Sequence, residues 1–202
     1  MVDKINIVGL GPGAMEYIAP KAVNTLEYSD LVIGYERAIE SINFIKSKRK
    51  VILTLSEIKD LVDNTHGTLS IVASGDPCFY GITNYIKNNF NVNIEVIPGI
   101  SSFQYLMCKI AKPWNNGVLG SMHGRDQDFE KIVENNELTI WLTDKFNSPK
   151  ALCERLLKLN EEYYVYVGEN LSYEDEIIRQ GRPDDLIKYE YSTLSIVVVE
   201  RR

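Results

Sequence analysis

Ser74-Gly75-Asp76-Pro77-Cys78-Phe79-Tyr80-Gly81 follows the apolar run Leu69-Ser70-Ile71-Val72-Ala73 and precedes Ile82 to Asn89. The run reads as a buried strand and the segment beyond it as a helix. A strand passing through Gly-Asp-Pro into a helix exposes backbone at the carboxyl edge of a sheet, where α/β proteins place their ligands. Pro77 has no N–H to donate and fits the first turn of a helix. Alone, the segment also reads as a tight turn in which Asp76 bonds its own backbone. Two further loops occupy similar positions: Gly9-Leu10-Gly11-Pro12-Gly13 and Pro98-Gly99-Ile100-Ser101-Ser102.

Outward from these loops, strand and helix alternate. Strands are expected at 4–10, 30–34, 51–55, 69–73 and 92–97. Helices are expected at 20–28, 37–45, 57–63 and 82–89, with another running from Ser101 or Ser102, either of which can N-cap it, through Met107. Residues 1–111 therefore read as an α/β domain: a mostly parallel sheet with helices on both faces. Lys112-Pro113-Trp114-Asn115-Asn116-Gly117 reads as a linker. Residues 118–202 read as a second α/β domain with a mixed sheet. Its strands are expected at 118–122, 138–142, 163–167 and 194–199, with an extended piece at 176–180. Its helices are expected at 126–134, 149–159 and 184–187.

Composition narrows the function classes. The chain has 202 residues and a net charge of −6, which argues against a general nucleic-acid binder. No apolar run approaches the ~20 residues that span a bilayer, so no membrane partner is expected. Met1-Val2-Asp3-Lys4 leads straight into a strand, so no secretory signal is expected. Cys78, Cys108 and Cys153 are odd in number and widely spaced. They suggest neither disulfides nor a cysteine zinc site, and the cytoplasm is the expected compartment. No His, Cys or carboxylate cluster has metal-ligand spacing, so no metal is expected.

Several residues could carry chemistry. The glycine loop with Ala14 formally matches G-x-G-x-x-A, the dinucleotide fingerprint. Pro12, however, removes a donor that a pyrophosphate would use, and Pro20 rather than the loop itself begins the helix. Glu36 only partly answers the need for a ribose-holding acid. His66 lies in a polar loop. His123 lies in Ser121-Met122-His123-Gly124-Arg125 at a strand end, where His and Arg form either a surface turn or an anion grip. Gly168-Glu169-Asn170-Leu171-Ser172 is a further loop of this kind, and Thr193 alone is uninformative.

Together these segments resemble the tetrapyrrole methylase superfamily across essentially the whole chain. The resemblance rests on the 9–13 loop, on Ser74-Gly75-Asp76-Pro77 with Phe79-Tyr80-Gly81, and on Pro98-Gly99-Ile100-Ser101-Ser102. Trp114, Ser121-Met122-His123-Gly124-Arg125 and Gly168-Glu169-Asn170-Leu171-Ser172-Tyr173 resemble the corrin-pathway branch that methylates the C5 meso carbon. The resemblance implies two α/β domains with the active cleft between them and S-adenosyl-L-methionine as methyl donor. It also implies a tetrapyrrole (cobalt-precorrin) substrate and a homodimer. Carried over by motif, the cofactor contacts fall on Leu10, Asp76, Phe79, Ser101, Ser102, Leu142, Val167 and Thr193. Substrate contacts fall on Gly11, Pro12, Gly13, His123 and Arg125, with Lys109 or Lys112 as further partners for peripheral carboxylates. Cys78 and Ala19 depart from the pattern, which more often has a small or aliphatic residue and a hydroxyl residue there. The chain ends after this unit, so the C5 transfer alone is expected. Orienting carbon, methyl and sulfur in line supplies ~7–11 kcal/mol in favourable systems. No strong general base is then demanded, and the catalytic set is left open. The alternatives are methylation at another tetrapyrrole position, a diphthamide-type protein substrate, a nicotinamide oxidoreductase using the glycine loop, and a non-catalytic cofactor-binding module.

Overall fold

The computed structural model describes residues 2–124 and 127–202. Contacts divide the chain into two compact units, Met1–Ser102 and Phe103–Arg202. The division lies ahead of the linker expected at 112–117.

The first unit is built on β1 (Val2–Gly9), β2 (Leu31–Gly34), β3 (Arg49–Val51), β4 (Gly67–Ala73) and β5 (Asn93–Ile97). Each neighbouring pair is parallel, in the order β3-β2-β4-β1-β5. Central strands covered on both faces read as nearly continuous apolar runs. Ile5 and Ile7 of β1 and Ile71 of β4 accordingly pack on one face, and Val8 and Val72 on the other.

Helices α1 (Pro20–Glu27), α2 (Glu36–Glu40), α3 (Glu57–Asn64) and α4 (Thr83–Asn89) divide between these faces. Ala22 and Leu26 of α1 and Ile39 of α2 join Val8. Ile58 and Val62 of α3 and Ile86 of α4 join Ile7. The chain leaves β1 across β4 to reach β2, and leaves β4 across β1 to reach β5. Two adjacent strands thus send their connections to opposite faces, which opens a crevice at their carboxyl ends.

Two elements are shorter than their patterns predict. The helix expected at 37–45 ends at Glu40, after which Ile42, Asn43 and Ile45 bond back to Ile39, Glu40 and Ile42 in tight three-residue steps. Ile42 and Ile45 are buried nonetheless, so the periodicity located the core while missing the turn. The strand expected at 51–55 stops at Val51. Leu53 and Thr54 donate their N–H groups to Glu57 Oε1 at 2.8 and 2.9 Å instead of to a neighbouring strand.

The second unit begins with α5 (Ser102–Lys109), whose first residue closes the first unit. It continues with β6 (Val118–Ser121), α6 (Phe129–Asn135), β7 (Leu138–Leu142), α7 (Pro149–Leu156), β8 (Tyr163–Glu169), β9 (Ile177–Gly181), α8 (Pro183–Leu186) and β10 (Ser195–Arg201). The sheet order is β6-β7-β10-β8-β9. Only the β6–β7 pair is parallel, so this sheet is mixed. Helix starts follow capping chemistry: Asp128 accepts from Lys131 N–H, Ser148 accepts from Ala151 N–H, and Pro149 takes the first turn of α7. Trp141 is the largest fully buried side chain. Its ring lies over Gly120, where an added Cβ would come within 2.4 Å of it, and Phe129 meets it edge-on at 4.9 Å.

Candidate functional site

At the carboxyl edge of the first sheet the three motif loops are woven together through backbone. β1 runs in register with β4 and β5, so their ends align. Gly11 and Gly75 exchange N–H···O bonds of 3.3 and 2.7 Å. A Cβ on Gly99 would sit 2.2 Å from Gly75 O and 2.9 Å from Gly9 C; one on Gly9 would sit 2.6 Å from Gly99 N. The glycines are there because loop backbones touch each other, a requirement that sequence cannot distinguish from close approach to a ligand.

Asp76 is part of the same weave. Its Oδ1 accepts from Cys78 N–H at 2.8 Å in an Asx turn, and its Oδ2 accepts from Gly99 N–H at 3.4 Å. Leu10, Gly11 and Pro12 are buried and Gly13 half-buried. Phe79 is half-buried with its ring 5.0 Å from Tyr80, Ser101 is 1% exposed, and Ser102 opens α5. Seven of the expected cofactor and substrate positions in this unit, from Leu10 to Ser101, therefore lie on one sheet edge.

The second sheet also gathers its loops at one edge. Ser121 pairs with Leu142, Ile196 with Leu142, and Ser195 with Glu169. This brings the turn at His123, the segment after Leu142 and the approach to β10 alongside the end of β8. Leu142 is half-buried and Thr193 exposed, while Val167 is fully buried within the core cluster. β8 continues through Glu169, so the loop expected from Gly168 begins at Asn170. His123 is exposed, and its Nδ1 lies 3.2 Å from Thr143 O. Arg125 lies outside the described residues.

Sequence reasoning missed Asp144 and Thr143, which hold this edge, and met Glu169 only as part of a loop. Asp144 accepts N–H bonds from Phe146 and Asn147 at 2.8 Å and from Gly124 at 3.1 Å. The Asn147 N–H does most to hold its carboxyl below the usual range, against burial, with Gly124, Phe146 and the neighbouring His123 adding to it. Thr143 is 4% exposed and its hydroxyl donates to Ser195 O at 2.7 Å. Glu169, 4% exposed, pairs with Arg179 and accepts from Ser192 N–H at 2.8 Å, fixing the approach to Thr193. The signal for Asp144 was an acidic residue directly past a strand in Asp144-Lys145-Phe146-Asn147-Ser148-Pro149, a composition typical of turns.

Lys109 and Lys112 are already matched with carboxylates of this chain. Lys109 Nζ lies 3.1 Å from Glu176, and Tyr105 and then Glu176 raise its pKa. Burial and that same Glu176 push the Tyr105 hydroxyl up to about 12. Lys112 lies 2.9 Å from Glu200, which raises its pKa in turn. A role for either lysine toward substrate carboxylates would have to compete with these pairs.

The family model of tetrapyrrole (corrin/porphyrin) methylases matches residues 4–187. The chain belongs to that family. Among curated relatives, this methylase is 32% identical over 97% of both chains to a protein of Methanocaldococcus jannaschii named probable cobalt-precorrin-7 C(5)-methyltransferase. It is 27% identical to the cobalt-precorrin-7 C(5)-methyltransferase of Salmonella typhimurium, over 98% of this chain and 100% of that one. Its fold matches the crystal structure of cobalamin biosynthesis precorrin-6Y methylase from Archaeoglobus fulgidus, with a TM-score of 0.79, 22% identity and full coverage of both chains. The methylase has no helix among its described residues long and apolar enough to cross a membrane.

Proposed function

We propose that this chain transfers a methyl group from S-adenosylmethionine to the C5 meso carbon of cobalt-precorrin-7 in cobalamin biosynthesis. The supporting observation is similarity to the C(5)-methyltransferases along nearly the whole length of both chains. A probable C(17)-methyltransferase of Methanothermobacter thermautotrophicus and the cobalamin biosynthesis protein CbiHC of Archaeoglobus fulgidus match only about half of it.

The chemistry of the residues fits the donor. Leu10, Asp76, Phe79, Ser101, Ser102, Leu142, Val167 and Thr193 include one carboxylate and no cation. Such a set suits a sulfonium-bearing nucleoside and not the pyrophosphate of a dinucleotide. The glycine loop likewise opens no helix of its own: a short 3-10 turn at Met15–Tyr17 intervenes, and α1 starts at Pro20. S-adenosylmethionine supplies an already electrophilic methyl group when bound. Leu10, Phe79 and the two serines would hold it at the first sheet's edge, and Asp76 would fix the loop that carries Phe79; on the second unit Leu142 and Thr193 remain candidates, whereas Val167 is fully buried in the core cluster. The 11–13 loop, His123 and Arg125 would orient the tetrapyrrole. In this reading the enzyme is a cytoplasmic homodimer, needs no metal of its own, and binds neither nucleic acid nor membrane.

Incubation with cobalt-precorrin-7 and methyl-labelled S-adenosylmethionine should add one labelled methyl group. Mass spectrometry and carbon-13 NMR of the product should place it at C5. Label at another ring position, or on no tetrapyrrole, would refute the reading.

A further inference from the structure

We infer that His123 is the base that removes the C5 hydrogen during methyl transfer, acting through Nε2. The inference rests on the functional reading above and adds a residue role to it. Replacing hydrogen by methyl at C5 releases one proton. The C5–CH3 bond forms as the sulfur–CH3 bond breaks with its electron pair going to sulfur. The C5–H bond then breaks, its pair returns to the conjugated ring, and the proton must go to an acceptor. In-line alignment removes the need for a strong base but not for this acceptor.

Two observations direct the proton to His123. The first is its tautomer. A carbonyl oxygen only accepts, so Nδ1, 3.2 Å from Thr143 O, carries a hydrogen. A neutral imidazole held this way has its lone pair on Nε2, and the ring is exposed at the sheet edge. The turn is fixed on both sides: His123 N–H donates to Ser121 Oγ at 3.3 Å and Gly124 N–H to Asp144 at 3.1 Å. The second is that the buried and half-buried carboxylates of this edge already receive donors. Asp144 takes three backbone N–H groups, Glu169 takes Arg179 and Ser192, and Glu176 takes Ser172 N–H and Lys109. Such bonds occupy the lone pairs that an incoming proton would need. Asp144 and His123 interact electrostatically across this turn.

The test uses the full chain with His123→Ala and His123→Gln, cobalt-precorrin-7 and S-adenosylmethionine. A lost general base lowers kcat on the order of 10²-fold or more, a larger change than any rise in the tetrapyrrole KM from the lost contact, while calorimetric binding of S-adenosylmethionine should stay near wild type. Added imidazole should restore part of the His123→Ala rate. A kcat within about threefold of wild type, or a raised KM at unchanged kcat, would assign His123 to substrate binding instead and overturn the inference. A wild-type enzyme that transfers no methyl to this substrate would overturn the functional reading, and the inference with it.

Discussion

At the scale of single residues, the glycines separate two physical demands that look alike in sequence. Gly99 has ordinary backbone angles but no room, its added Cβ falling 2.2 Å from Gly75 O. Gly75 has room, with nothing nearer than 3.6 Å, but a φ of +66°. Gly99→Ala should cost roughly 1–3 kcal/mol or more, because rigid backbone cannot yield as a side chain would. Gly75→Ala should cost roughly 1–2 kcal/mol for the left-handed conformation alone. Urea unfolding should therefore rank Gly99→Ala as the more damaging; the reverse order would mean that the 98–101 loop relaxes. The importance of positions 9, 75, 76 and 99 was legible from residue types. Their partners were not, because a glycine records only that something is close. Asp76 illustrates the same limit: an acidic residue in Gly-Asp-Pro was evident, but its occupation by Cys78 and Gly99 N–H groups depends on a loop twenty-odd positions away.

At the scale of elements, the alternation of strand and helix was readable because β1, β2 and β4 are apolar on both faces and α1 and α7 start at proline. The errors fell where side chains compete for backbone groups: Glu57 ends β3 early, and Glu169 keeps β8 extended past Val167 by pairing with Arg179 of β9. Asp144 is a third such device, joining the turn after β6 to the segment after β7. Its folded pKa is depressed. Its contribution is therefore complete above the unfolded value near 4 and is lost as pH falls through the lower folded value. Asp144→Asn should lower stability by about 1 kcal/mol at neutral pH. That difference should shrink between neutral pH and a pH below the folded value, where the wild-type carboxyl also becomes neutral. Denaturation midpoints at the two pH values check this, and an equal deficit at both would show that the bonds do not depend on charge.

At the scale of the whole molecule, each unit has a core of its own, and the three cysteines sample different environments. All are free; Cys78 and Cys108 are exposed and Cys153 is buried. Burial, with Glu154 adding to it, pushes the Cys153 thiol up to about 12. An aromatic disulfide reagent at pH 8 should modify two thiols quickly and the third only when the second unit opens; three fast thiols would contradict the packing of α7. The second unit also holds a built-in optical probe. Both tryptophans of the chain belong to it, Trp141 fully buried against Phe129 and Trp114 38% exposed beside Phe103. Excited at the indole band, the protein emits from Phe103–Arg202 alone. Tyrosine emission and circular dichroism are then needed to follow Met1–Ser102. A ligand titration read only in tryptophan light would be blind to binding events confined to the glycine weave.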